Sequence, residues 1–199
     1  MKKLSAWKLT LLGIAGFALG AVLFLPWDAL CGYVMSKGLS VAAENGIYGV
    51  VQDNYTEGLL DKEFIYRGVQ ADFPVFRFSS REIRVNPAVI STIFKAAPTA
   101  SLTFGRGEIV PVTRQKLEWN SGSANVSLKG GVISVSDIEF AGKFSARGFV
   151  DISAETGKIS RANLTLKVPE DLDRAMKMLG TSGMLPVSKL RAGEWKVEK

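Results

Sequence analysis

From Leu9 to Leu25 the chain reads LTLLGIAGFALGAVLFL, with no charged residue, and such a run has no place on the surface of a soluble domain. As a helix rising about 1.5 Å per residue it measures roughly 25 Å, and Leu4 to Trp7 extend it to bilayer thickness. Lys2, Lys3 and Lys8 stand at its start and Pro26-Trp27-Asp28 at its end. By the positive-inside rule the lysines mark the cytoplasmic side. The sequence therefore predicts a single-pass anchor over 1–26, with everything after Pro26 across a bacterial-type inner membrane. A cleaved signal peptide begins in the same way. However, the run exceeds the roughly 7–15 residues of a signal core, and the candidate cleavage site Ala18-Leu19-Gly20 lies inside it. A lipoprotein anchor at Cys31 is disfavoured by Asp28-Ala29-Leu30, where a large aliphatic should come first and a small residue last.

Removing the anchor leaves about 170 residues, enough for one domain with a real core. The formal charge of +6 includes the three topology lysines. The remaining basic residues are interspersed with acidic ones, so no basic run or helix face marks a nucleic-acid partner. The single Cys cannot form an internal disulfide, and Cys31 reads as a small buried hydrophobe. The absence of histidine excludes Ser-His-Asp and Cys-His nucleophiles and argues against a transition-metal site.

Residues 27–46 carry apolar side chains at Trp27, Leu30, Cys31, Val34, Met35 and Val41, the spacing of an amphipathic helix, with Gly46 as its stop. This helix is expected to lie along the membrane surface or to cap the start of a sheet, with Trp27 and Tyr33 at the membrane interface. From Ile47 the apolar period becomes two. Alternating sets at Phe64/Tyr66, Phe76/Phe78, Ile83/Val85, Leu102/Phe104, Val110/Val112, Leu117/Trp119, Ala124/Val126/Leu128, Phe144/Ala146/Val150/Ile152 and Ala162/Leu164/Leu166/Val168 predict strands. A change of parity between Val135 and Ile138 predicts a bulge or tight turn at Ser136-Asp137. Asn120 to Ser123, Lys129-Gly130-Gly131 and Glu155 to Lys158 have hairpin-turn composition. Pro87 to Lys95 and Pro169 to Gly180 read as short helices, and Ala192 to Val197 as a last strand. The prediction is a mainly β protein. A transmembrane helix and a membrane-proximal helix precede an antiparallel meander over 47–199, with two or three short helices in all; the sheet is curved, a sandwich or an open groove.

No chemistry stands out. Gly105-Arg106-Gly107 lacks the third glycine and following helix of a phosphate loop. Glu170/Asp171 fit a helix start and Asp137/Glu139 a solvated strand face. Ser79-Ser80 and Ser134-Val135-Ser136 have no histidine partner, and no local signature supports a Ser-Lys pair. Sequons at Asn54, Asn125 and Asn163 are read as chance matches. The chain is expected to be no enzyme and to need no cofactor or metal. The long apolar face remains. It either packs or forms a groove, with Phe76, Phe78, Leu102, Phe104, Val126, Leu128, Phe144 and Leu164 as its candidate lining.

The exit from the membrane run, Leu25-Pro26-Trp27-Asp28-Ala29-Leu30, resembles the type II secretion system protein N (GspN) family. So do Arg81-Glu82-Ile83-Arg84-Val85-Asn86-Pro87, the strands with Gly-x-Gly, and the late strand Ala141 to Gly148. That group is similar in turn to AsmA-like membrane-anchored β proteins, some of them associated with lipid transport. The resemblance implies an inner-membrane, periplasm-facing accessory component without catalytic residues. Its implied partners are the lipid bilayer, other inner-membrane secretion subunits and, on the AsmA-like or lipopolysaccharide-export-like alternative, lipid held in the groove.

Overall fold

The spacing that predicts a helix after Pro26 produces one, α1 (Trp27–Glu44), and its end is built by glycine. Gly46 adopts φ +75°; its N–H donates to Ala43 O at 3.0 Å, and the Ile47 N–H donates to Ala42 O at 2.9 Å. These bonds satisfy carbonyls that a helix terminus leaves open, in a backbone conformation that is cheap only without a Cβ. The computed structural model describes residues 7, 13, 16, 20, 26–44, 46–58, 62–73, 76–88, 98–111, 116–156, 158–173, 176, 177 and 187–199, without the side chains of 34 and 171. The anchor predicted over 1–26, with Lys2, Lys3 and Lys8, thus lies almost wholly outside the described residues. So does most of the helix predicted after Pro87. Among the described residues no helix is long and apolar enough to cross a membrane.

The described strands form one antiparallel sheet: β1 (Tyr48–Val50), β2 (Asp53–Glu57), β3 (Glu63–Asp72), β4 (Phe76–Pro87), β5 (Thr99–Phe104), β6 (Gly107–Pro111), β7 (Leu117–Lys129), β8 (Val132–Gly142), β9 (Ser145–Ser153), β10 (Ile159–Lys167), β11 (Val187–Arg191) and β12 (Glu194–Glu198). β1 and β2 keep one register along β3 and act as a single edge strand broken at 51–52. β5 and β6 do the same between β4 and β7, with the break at Gly105-Arg106. The path is a meander as far as β10. The last hairpin then enters in reverse, so β12 pairs with β10 and β11 becomes the edge.

Several local expectations hold. Gly130 and Gly131, at φ +57° and +73°, join β7 to β8 in a two-residue turn whose twist suits a hairpin. Pairing shifts by one residue between Val135↔Val150 and Ile138↔Gly148, with Asp137 at φ +51°, so the parity change at Ser136-Asp137 is a bulge. Asn120 to Ser123, by contrast, is no turn; it runs through β7. Gly122 is there for contact, since a Cβ on it would stand 2.5 Å from the Phe140 ring. Pro87 itself ends β4 opposite Ala100, and residues 89–95 of the helix predicted from it lie outside the described residues. Pro169 precedes a short 3₁₀ turn, Glu170–Leu172, and buried Leu172 meets the core there. Ala192 belongs with Gly193 to the β11–β12 turn, and β11 was not anticipated.

One feature crosses the strands. Interior side chains change parity along β3 (Phe64 and Tyr66, then Val69), β4 (Phe78, then Val85), β5–β6 (Phe104, then Ile109) and β7 (Trp119, then Ala124). In register, the irregular positions line up as Gln52, Gly68, Arg81, Arg106 and Asn120. An extra residue in each neighbouring strand bends the sheet at one level. This crease brings Phe78 of β4 and Phe104 of β5 into edge contact at 6.5 Å between ring centroids; in a regular sheet their parities would put them on opposite faces.

Among the described residues two clusters of buried side chains stand out, with fully buried Ile65 in neither. Trp119, Phe144, Ala146, Val168, Leu172 and Trp195 form the larger core. The smaller one lies under α1, where Cys31, Phe64 and Tyr66 pack with Trp27, Leu30, Met35, Val51, Val69 and Val85. α1 therefore caps the start of the sheet. Cys31 is 0% exposed, and burial, reinforced by the nearby Asp28 carboxylate, raises its thiol pKa. The native protein is accordingly expected to react with iodoacetamide at least about tenfold more slowly than the urea-unfolded chain, because the thiolate is the nucleophile. Mass spectrometry of alkylated Cys31 measures this.

Candidate functional site: the inner face and the two sheet edges

Of the eight predicted groove residues, the crease gathers three into an aromatic cluster. Phe78 stacks on Trp119 at 5.5 Å, Phe104 packs on Phe140 at 5.2 Å, Trp119 meets Phe140 edge-on at 5.3 Å, and Phe144 lies 6.5 Å from Phe140. At these rings the inner face is filled by protein. Phe76 stands apart, stacked on Phe73 at 4.3 Å across the β3–β4 connection. Leu102 lies opposite Val85 and Ala124, Val126 opposite Ala100 and Val135, and Leu164 opposite Gly148 and Val197; these three are half-buried. Leu128 is 41% exposed at the tip of the β7–β8 hairpin, away from the core. Trp27 is half-buried 6.3 Å from Phe64, whereas Tyr33 is 66% exposed on α1.

Trp119 also mends the crease, since its Nε1–H donates to the Gly105 carbonyl at 2.9 Å, within the β5–β6 break. The sequence marked Trp119 as one of an alternating pair. Its bond to Gly105 depends on pairing between strands and leaves no local signal.

On the outer side, Arg84 binds Glu82 at 2.6 Å, Glu63 at 3.2 Å and Glu57 at 3.7 Å, while Arg67 binds Glu82 at 3.2 Å. The hydrogen bond from Arg84 first, then that from Arg67, holds the Glu82 carboxyl below its usual range against the opposing effect of partial burial. A depressed carboxylate contributes stability that is full above its unfolded pKa, about 4.3, and is lost as pH falls through the lower folded value. Glu82→Gln is therefore expected to flatten the loss of stability below about pH 4 relative to the parent, as read by urea midpoints across pH. Among the described residues no group of three or more Cys, Asp or Glu side chains could hold a metal.

The two ends of the sheet differ. At the β1–β2 end, Asp28 Oδ1 of α1 accepts the Thr56 N–H of β2 at 2.8 Å, so the helix supplies a partner to that edge. At the other end the phase of the ladder follows from Ala162 and Lys199, which exchange both N–H···O bonds at 3.0 Å. Counting in twos, Trp195 and Val197 turn their backbone groups to β10, and Lys196 turns to β11. Ser188, opposite Lys196, thus faces β12, while Val187 and Lys189 turn their N–H and C=O groups away from it. Among the described strands β11 pairs only with β12. Its Lys189 lies over the Trp195 ring at 5.6 Å and binds Asp173, and Leu190 is exposed.

No curated protein and no solved structure matches the chain. A family does, over residues 5–199, and it is described as type II secretion system protein GspN-like, Synergistales. That span takes in the apolar run over residues 9–25, α1 and the whole creased sheet, so the likeness is not confined to one motif. The chain belongs to the GspN-like family of type II secretion system proteins, envelope-associated components of the secretion machinery.

Proposed function

We propose that the chain is a non-catalytic, single-pass inner-membrane subunit of the secretion apparatus, whose β domain lies on the periplasmic side and docks other subunits by strand addition at β11. The observation that supports it is the asymmetry of the edges. α1 partners the β1–β2 end through Asp28 and Thr56, while β11 turns the N–H of Lys189 away from its only described neighbour. An edge in that state accepts an extended segment through main-chain hydrogen bonds. Lys189→Pro removes that N–H and spares the Ser188–Lys196 pairing. Lys189→Ala keeps the N–H but loses the Asp173 ion pair, and so serves as the control. Cross-linked envelope fractions should yield inner-membrane secretion subunits with the parent and with Lys189→Ala, and at least about tenfold less with Lys189→Pro. Equal yields from all three would dismiss docking at this edge.

The alternative, lipid handling of the AsmA-like kind, is supported by half-buried Leu102, Val126 and Leu164 beyond the aromatic cluster. Native mass spectrometry of the domain released from detergent separates the two readings. Bound lipid favours the second, and a lipid-free mass counts against it.

A further inference from the structure

Two arginines on the outer side of the crease take no part in its ion pairs. Arg67, Arg77, Arg84, Arg147, Arg161 and Arg191 each bind a carboxylate. Among the described arginines, Arg81 and Arg106 form no such ion pair, and the two stand together. They lie at opposed register positions of β4 and the β5–β6 break, with the Arg81 N–H donating to Arg106 O at 2.9 Å. Both are exposed and line one shallow cleft of about 270 Å³. Like charges directly opposite on neighbouring strands are destabilising, so this placement costs stability unless something bridges the pair.

The surroundings fit an anion. Gly68 at φ +60° and Gly107 line the same cleft; the space a Cβ would take is filled at Gly68 by the Gln52 side chain and at Gly107 by the Ser79 carbonyl and the Trp119 ring. Gln70 and Ser79 add polar groups. The two acids in the lining already have partners, Glu108 binding Lys116 at 2.9 Å and Glu118 binding Lys143 at 2.9 Å. The field of Arg106 reaches Glu118 only as a smaller contribution beside the Lys143 hydrogen bond. The local excess is therefore two positive charges, carried by two forks with fixed donor geometry.

We propose that Arg81 and Arg106 form a receptor for a phosphate-type oxyanion at the crease. A phosphate monoester carries about −1.5 to −2 charge and three acceptor oxygens, which matches two guanidinium forks in both charge and donors. A single carboxylate leaves one positive charge uncompensated. The phosphate can come from solution or from a lipid headgroup, and the chemistry of capture is the same.

The test uses the full chain in non-ionic detergent, titrated calorimetrically with inorganic phosphate, with short-chain phosphatidic acid below its micelle concentration, and with short-chain phosphatidylcholine and acetate as controls, all at equal ionic strength. Phosphate or phosphatidic acid should bind one per chain. Arg81→Gln and Arg106→Gln should each weaken binding about tenfold or more, since each removes charge-assisted hydrogen bonds. The double variant should lose binding, yet unfold thermally no lower than the parent in chloride, because the repulsion is gone. Binding of phosphatidic acid well above inorganic phosphate assigns the lipid headgroup, and equal binding assigns the free anion. No binding of either, binding retained by the double variant, or acetate bound as tightly as phosphate each overturns the proposal.

Discussion

Trp119→Ala is expected to lower the unfolding free energy by about 3–5 kcal/mol, the range for deleting a buried aromatic from a packed core. The side chain is 1% exposed and stacks against Phe78 while meeting Phe140 edge-on. Its loss opens a cavity between the two halves of the creased sheet and leaves the Gly105 carbonyl without the indole N–H that binds it. Trp119→Phe separates the two contributions. It keeps much of the ring contact and loses the donor, for an expected cost of about 1–3 kcal/mol. Urea unfolding followed by fluorescence of the three remaining tryptophans, Trp7, Trp27 and Trp195, and by circular dichroism measures both. A Trp119→Ala protein within about 1 kcal/mol of the parent would mean that the aromatic cluster does not hold the crease.

Gly148→Ala should be comparably damaging for a different reason. Gly148 has φ +141°, a region that L side chains rarely adopt, and it lies opposite Ile138, just past the β8 bulge. A Cβ there would fall 1.9 Å from the Asn163 carbonyl oxygen of β10, which is backbone and cannot swing aside. Strain and overpacking act together, so a loss on the order of 3 kcal/mol or more is expected, as reduced soluble yield and a lowered urea midpoint. Gly130→Ala provides the comparison. It too has positive φ, at +57°, but nothing lies within 4 Å of the added atom. It should cost only the backbone term of about 1 kcal/mol. Equal effects at the two glycines would refute the contact argument.

Much of the fold was legible because the signals are local. The α1 spacing and its Gly46 stop, the Gly130-Gly131 turn and the parity change at Ser136-Asp137 each depend on a few consecutive residues. The misreadings have a common cause. Asn120 to Ser123 has the composition of a turn, yet the segment runs through β7, Gly122 and Ser123 pair on both sides, and Gly122 is needed beneath the Phe140 ring. Turn residues and close-packing residues overlap in type, and only the neighbouring strand separates them. β11 was missed because Val187 to Arg191 has one apolar position turned inward and three polar side chains, the composition of an edge that alternation rules overlook.

The sequence by itself determined the antiparallel β class, the helix before the sheet, the Gly130-Gly131 turn, the small buried cysteine and the family to which the chain belongs. These follow from periodicity, turn chemistry and residue type over short stretches, or from the likeness of the whole string. The tertiary structure alone decided that the irregularities of β3, β4, β5–β6 and β7 fall in one line, that Phe78 and Phe104 meet despite opposite parity, and that β11 and not β12 is the edge. It also set Arg81 opposite Arg106. Each of these depends on the register between strands distant in the chain. Register is set by the summed packing of whole faces, so no single segment carries it.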